Sequence, residues 1–397
     1  MSELITTDVT IVGAGLVGLA AAVAMHKAGQ QVVIVDAKSP PNVEFTNGDW
    51  DSRIYAISPR NANWLASIGV WQHIDAKRIG NMQAMEIIGD AKLAPIHLLA
   101  DDANADYLGF IVESSALSSA LLKQVDHLGI TRLFNTPCES IATTEANTTL
   151  MLNDGQVIHS NLLIAADSSQ SWVRQQLNVP MQQKPYAQSA IVANFKVEHS
   201  HSNTARQWFV QGENGKSSIL AWLPLPNNVI SIVWSTAPDV AAELLTLSAD
   251  QFSAQVQAAG GSVLGDLNLI GVPAVFPLVL QKSDLYTQQS VVFMGDAAHK
   301  IHPMAGQGVN LGFRDVMDFV DILKSKNPYQ SINDSALLKA YTRKRKVDMM
   351  KMVLLTDGLY QLFSSQNELT KTVRLWGFSA TNHHVIKKML VENAVAL

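Results

Sequence analysis

The chain has 397 residues, 47% of them hydrophobic and 16% charged, enough apolar material for two domains or one large interrupted one. Its 29 Lys and Arg stand against 34 Asp and Glu, a formal net charge of -5, which excludes the basic footprint of a nucleic-acid binder. One cysteine, Cys138, excludes an intrachain disulfide and a cysteine zinc cage, and reads as a small, inert side chain in a reducing compartment.

The apolar run Val9 to Met25 follows Glu3 and Asp8 rather than a cationic stretch, so it does not read as an export signal. No other segment has the apolar length of a membrane span, and the expectation is a cytoplasmic protein, at most peripheral to the inner membrane. Val9 to Val12 predicts a buried parallel strand, Leu16 to Ala28 a helix stopped by Gly29, and Gln31 to Asp36 a second strand. Ala37 to Ser52, with Pro40, Pro41 and Gly48, is a loop long enough to be functional. Next come a helix at Leu117 to Leu128 and strands at Thr148 to Leu152, Val157 to Ile158 and Leu162 to Ala166. From about Ala187 to Val279 the texture is extended, with strands at Ile219 to Leu223 and Val229 to Ser235 and one helix, Ala249 to Ala259. That pattern predicts a mostly antiparallel second domain. Val291 to Met294 and a helix after Gly308 return to α/β character, and from Ser335 onward the chain reads as amphipathic helix.

Three stretches carry chemistry. In Gly13-Ala14-Gly15-Leu16-Val17-Gly18, Gly13 permits a tight turn, Gly15 lets backbone approach a pyrophosphate, and Gly18 lets the helix pack on the strand. Asp36 ends the second strand, where an acid accepts hydrogen bonds from an adenosine ribose. Strand, turn, helix and acid together point to a bound dinucleotide. The second stretch, Gly295-Asp296 through Asn310, points to FAD rather than NAD. Asp296 is suited to sugar-like hydroxyls, and Pro303, Gly306 and Gly308 shape a loop that delivers a helix N-terminus at Val309-Asn310. Such an N-terminus stabilises negative charge on a flavin. The third, Ile164 to Arg174, is another strand ending in an acid, Asp167.

On these motifs, and on Asp51-Ser52-Arg53 with Ala56-Ile57-Ser58, the chain resembles the class A flavoprotein monooxygenases, the family of para-hydroxybenzoate hydroxylase. His302 to Gly312 is most similar to their ubiquinone-biosynthesis branch, with Met304 and Val309 where that branch usually has Leu. The resemblance implies an α/β Rossmann-like FAD-binding domain interleaved with an antiparallel-sheet substrate domain, then C-terminal helices. The expected division is 1–80, 104–180 and 286–334 for FAD, 81–103 and 181–285 for substrate, and 335–397 for the helices. It further implies that Asp296 binds the ribityl chain and that the amides of Val309 and Asn310 face the flavin. Arg53 then reaches the cofactor from the long loop, and Asp167 serves both FAD and NAD(P)H as co-substrate. Two departures stand out: Asp36 replaces Glu, and Ser168 replaces the glycine after Asp167, a residue that would be strained at positive φ.

Other candidates read more plainly. His299 and His302 line the flavin loop rather than hold a metal, and His199 and His201 sit in a solvated turn. Arg343 to Lys346 reads as a solvated helix face rather than a lipid-headgroup site, and Met349, Met350, Met352, Leu354 and Leu355 as core. The leading expectation is an NAD(P)H-consuming FAD monooxygenase acting on a polyprenylated phenol or quinol, with no side-chain nucleophile. Peripheral membrane contact and membership of a quinone-biosynthesis complex accompany it as expectations. Rivals are a hydroxylase of soluble phenols, a flavin reductase that uses no O2, and an FAD-stabilised component without turnover.

Overall fold

The computed structural model describes residues 4–40, 50–89, 95–211, 217–301, 307–364, 387–388 and 391. Its helices are α1 (Leu16–Lys27), α2 (Pro59–Ser67), α3 (Ser114–His127), α4 (Trp172–Gln176), α5 (Pro238–Thr246), α6 (Ala249–Ala259), α7 (Gln307–Lys324) and α8 (Ser335–Ser364). The opening β-branched run forms the strand Leu4–Val12, and Gly13 breaks it at φ +105°. In α1, every residue from Gly18 to Met25 is buried, because the helix lies on the sheet with α3 and α7 beside it. Alanine suits that position: small side chains let neighbouring backbones approach without a cost in rotamer freedom.

The first sheet runs Thr287–Gln288, Val291–Phe293, Val157–Ala165, Leu4–Val12, Val32–Val35, Thr131–Leu133. From Val291–Phe293 to Thr131–Leu133 all neighbours are parallel. The expected breaks at Val157 to Ile158 and Leu162 to Ala166 are one strand of nine residues. Ser160 and Asn161 interrupt the apolar pattern but not the ladder, since Ser160 pairs with Thr7 on one side and Thr148 on the other.

The second sheet has eight strands, and all its pairings are antiparallel except that of Thr204–Gln211 with Ala84–Ile88. Two sixteen-residue strands, Gln182–Val197 and Leu267–Lys282, join the two halves of the molecule. Ala190 and Leu278 belong to the core under the first sheet, whereas Ile191, Phe195 and Leu267 belong to a second core with Trp222, Phe252 and Val256. A period of two thus places successive residues of one strand in different cores. Helix α6 lies at its expected bounds, but α5 also interrupts this region. Its start signals, Pro238 at the first turn and Asp239 beside it, were available in the sequence.

A small sheet of Ile54–Ile57, Gly109–Glu113 and Gly80–Met82 lies where the two halves meet. Gly80 sits so close to the Pro224 carbonyl that an added Cβ would lie 2.1 Å from its oxygen. Of the expected C-terminal helix, α8 extends to Ser364, and residues 365–386 lie outside the described residues. Met349 and Met352 are core as expected, but Met350 and Leu354 are exposed.

Candidate active site

Register brings the expected residues together. Val12 pairs with Val35 and Ala165, and Ala165 pairs with Phe293, so four parallel strands end level. Within three residues of those ends lie Gly13, Asp36, Asp167 and Gly295-Asp296, all at the carboxyl edge where open α/β sheets bind ligands. Gly13 and Gly18 answer to the protein itself. A Cβ on Gly13 would lie 2.4 Å from the Ala166 oxygen, and one on Gly18 would lie 1.9 Å from the Gly13 oxygen. Gly15 differs: φ -73° and ψ 179° suit any residue, and an added Cβ meets nothing within 4 Å. No side chain caps α1 there. Open space before an uncapped helix N-terminus fits a phosphate.

Asp36 shapes this loop. Its Oδ2 accepts the Ala14 N–H at 2.6 Å and its Oδ1 the Lys38 N–H at 2.8 Å, each oxygen keeping a second lone pair. Asp167 accepts the Val173 N–H at 3.0 Å, while its Oδ1 is buried without a hydrogen-bond partner. Burial pushes the Asp167 carboxyl up, against hydrogen bonds from Ser171 and the α4 backbone. Ser168 adopts the positive φ that glycine would have carried, at +73°. Arg174 ties two of the strand ends together, donating from Nη1 to the Ala297 carbonyl at 3.0 Å and from Nη2 to the Ser169 carbonyl at 2.7 Å.

Asp296 is accessible to solvent, yet its carboxyl is pushed up by the protein around it, the signature of a cleft wall. Lys300, His299 and Arg53 pull the other way, which places the Arg53 charge near Asp296. The segment bearing Arg53 is anchored from several sides. Asp51 accepts the Ser115 N–H at 3.0 Å, and the Asp51 N–H donates to Glu113 at 2.7 Å. Glu113 is fully buried and grips Arg78 in two bonds of 2.6 and 2.7 Å.

Gly306 lies outside the described residues. Gly308 falls in the first turn of α7, where an added Cβ would again meet nothing within 4 Å. Val309 and Asn310 follow and are buried. The Asn310 side chain fixes this end of α7 to the small sheet and α2. Its Nδ2 donates to the Ala56 carbonyl at 2.7 Å, and its Oδ1 accepts from the Ser58 N–H at 3.0 Å and from Asn61 Nδ2 at 2.6 Å.

Two uncluttered glycines beside helix starts, a buried carboxylate oxygen without a partner and an accessible cleft carboxylate make a cradle that fits an FAD. A family model described as FAD binding domain matches residues 6–356. The chain belongs to the FAD-binding monooxygenases. It is 30% identical to the 3-demethoxyubiquinol 3-hydroxylase of Escherichia coli, over 98% of this chain and 99% of that protein. It is also 30% identical to the mitochondrial ubiquinone biosynthesis monooxygenase COQ6 of Homo sapiens, over 94% of this chain and 89% of that protein. The ubiquinone hydroxylase UbiL of Rhodospirillum rubrum is 29% identical over 98% of this chain and 89% of its own. Among solved structures, the fold matches Pseudomonas aeruginosa PqsL with a TM-score of 0.77 at 21% identity, over 95% of this chain and all of that one. It matches the p-nitrophenol 4-monooxygenase PnpA of Pseudomonas putida with a TM-score of 0.77 at 16% identity, over 98% of both chains.

This monooxygenase has a charged cluster behind its flavin loop that sequence reasoning missed. Arg345, expected on a solvated face, is fully buried. Its Nε meets Asp315 Oδ1 at 2.5 Å as an ion pair rather than an aligned hydrogen bond, and its Nη1 reaches Asp318 at 2.7 Å and Asp348 at 2.8 Å. Burial alone would raise the Asp315 carboxyl, but Arg345 and then His299 hold it below the usual carboxylate range. The available signal was spacing: Arg345 lies four residues from both Tyr341 and Met349, on the apolar stripe of α8. His299 is buried against Asp315, and His302 lies outside the described residues. His201 is not solvated either. It is buried, with Nε2 at 2.8 Å from the Leu225 carbonyl oxygen and Nδ1 accepting the Asn203 N–H at 3.1 Å. Cys138 is half-buried, and burial foremost pushes its thiol up to about 12, which suits an inert side chain.

Proposed function

We propose that this chain is an NAD(P)H-consuming hydroxylase that places one oxygen atom from O2 on the ring of a polyprenylated phenol or quinol in ubiquinone biosynthesis. The end-to-end match to the 3-demethoxyubiquinol 3-hydroxylase carries this reading, because it spans both the dinucleotide edge and the second sheet. Bound FAD supplies the electron transfer and the oxygen activation.

The residues supply position and electrostatics. The α1 N-terminus beyond Gly15 faces the pyrophosphate, Asp36 holds the glycine loop and the adenosine ribose, and Asp296 holds the ribityl chain. Gly308, Val309 and Asn310 present the positive end of α7 to the flavin ring. Asp167 offers its unpartnered oxygen to the dinucleotide, and Arg53 balances the carboxylate of Asp296. The division into FAD, substrate and helical regions given above is proposed on the same grounds. The strands Ala84–Ile88 and Ile96–Leu99 support it, because both join the second sheet.

Among the described residues no helix is long and apolar enough to cross a membrane. We propose peripheral contact through the outer side of α8, where Lys339, Arg343, Lys346 and Val347 line a surface cavity of about 430 Å³. Flotation with anionic against neutral vesicles tests that contact. For the reaction, the test is oxygen labelling with purified protein, NAD(P)H and the prenylated precursor. Label from 18O2 is expected in the ring, and label from water refutes the reading.

A further inference from the structure

Asp315 lies in the middle of α7, and neither the glycine motif nor the flavin loop includes it. One of its oxygens nevertheless does two things at the flavin turn. Oδ2 accepts the backbone N–H of Gly295 at 2.7 Å and meets His299 Nε2 at 2.8 Å, so it grips the residues on both sides of Asp296. The other oxygen faces Arg345, which comes from α8, thirty residues further along the chain. Helix α8 reaches the same turn a second time, where the Tyr341 hydroxyl donates to the Phe293 carbonyl at 3.2 Å.

The turn has little room to adjust by other means. Gly295 holds φ +59°, and an added Cβ there would lie 3.0 Å from Val17. On α7, a Cβ on Gly312 would lie 2.5 Å from the same valine and 3.4 Å from the Gly295 Cα. Close packing confines the backbone, and the Asp315 carboxylate fixes its rotation. Within that cage a buried, doubly used carboxylate is held ionised by a buried guanidinium, an arrangement of high cost if either partner is lost.

We infer that Asp315 and Arg345 are positioning residues for cofactor binding. Together they set the angle at which Asp296 enters the cleft, and they couple the C-terminal helix to FAD affinity. The inference rests on the reading of Asp296 as the FAD-facing carboxylate. It adds that FAD affinity depends on residues that never touch the cofactor. A pair that only held the fold together would lower stability without acting through Asp296.

The discriminating experiment is a double-mutant cycle on the full-length protein, reading the FAD dissociation constant by fluorescence titration and the unfolding midpoint separately. The variants are Asp315→Asn, Arg345→Lys and Asp296→Ala, singly and as Asp315→Asn with Asp296→Ala. The paired change Asp315→Asn/Arg345→Gln removes both charges if a single variant fails to fold, and Asp318 and Asp348, which also lose Arg345, keep Lys344 and Arg314 as ion-pair partners. Asp315→Asn, Arg345→Lys and the paired variant are each expected to weaken FAD by about ten-fold. Once Asp296 is Ala, Asp315→Asn should weaken FAD no further, while the losses in unfolding midpoint still add. A response to Asp296→Ala with wild-type FAD affinity in the Asp315 and Arg345 variants overturns the inference alone, as do independent effects that multiply. An unchanged constant in Asp296→Ala overturns the reading of Asp296 and the inference with it.

Discussion

Two glycines of the first loop separate what the protein needs from what its ligand needs. Gly13 is at positive φ against the Ala166 carbonyl, so Gly13→Ala should destabilise the protein with or without cofactor, by about 2 kcal/mol or more. Gly15 has ordinary angles and empty space, so Gly15→Val should leave the unfolding midpoint of FAD-free protein near wild type while FAD binding is lost. Yellow protein from Gly15→Val would remove this turn from the site. The cleft carboxylates give a pH dependence at the same scale. The protein around them takes water away from the Asp167 and Asp296 carboxyls and raises both in the folded state, so the folded chain holds those protons more tightly than the unfolded one. Stability from this source is full below the ordinary carboxylate value, about 3.9, and declines as pH rises through it toward the raised values. FAD-free Asp296→Asn should therefore melt above wild type at pH 7, with the gap closing toward pH 3. Melting curves across pH check this, and a gap that stays constant counts against it.

At the scale of elements, legibility followed locality. The glycine loop, the strand-ending acids and α6 were readable because each is a short contiguous pattern whose meaning is set by its own backbone. The small sheet, the buried Arg345 and the role of the Asn310 side chain were not, because each depends on a partner distant in sequence. Asn310 and Ala56 are 254 residues apart. Asn310 reads locally as one more polar residue at a helix start, yet it is fully buried and serves α2, α7 and the strand Ile54–Ile57 at once. Asn310→Ala would leave the Ala56 carbonyl, the Ser58 N–H and the Asn61 amide short of partners in a buried place. A loss of about 2–4 kcal/mol in unfolding free energy is expected from chemical denaturation. Asn310→Asp keeps the acceptor but loses the donor to Ala56 and buries a charge, so it should not rescue. Rescue by Asp would mean that acceptance alone matters.

At the scale of the molecule, the second sheet leaves an apolar edge suited to the tail of the proposed substrate. The strand Leu267–Lys282 pairs with Gln182–Val197 except at Gly271, Val272 and Pro273, which bulge out of the ladder, and among the described residues its other side is paired only at Gln281 and Lys282. Its middle, Gly271 to Pro277, is apolar, with Val272 81% exposed and Val275 46% exposed. An open apolar edge invites strand addition, and Pro273 and Pro277 lack the N–H groups such pairing uses. The edge is thereby closed to another strand but open to a ligand that needs no hydrogen bonds. A polyprenyl chain is such a ligand, and covering a valine side chain contributes about 1.5 kcal/mol, close to ten-fold in binding. Val272→Asp with Val275→Asp should therefore raise KM for a long-tailed quinol by about ten-fold or more, with FAD content unchanged. The same variant should oxidise NAD(P)H at the wild-type rate with a ring that carries no tail, since the edge would then have nothing to hold. Steady-state kinetics over a series of tail lengths measures both. A KM that rises equally for tailed and tailless rings would move the effect from the tail to the fold, and this edge would not be where the prenyl chain lies.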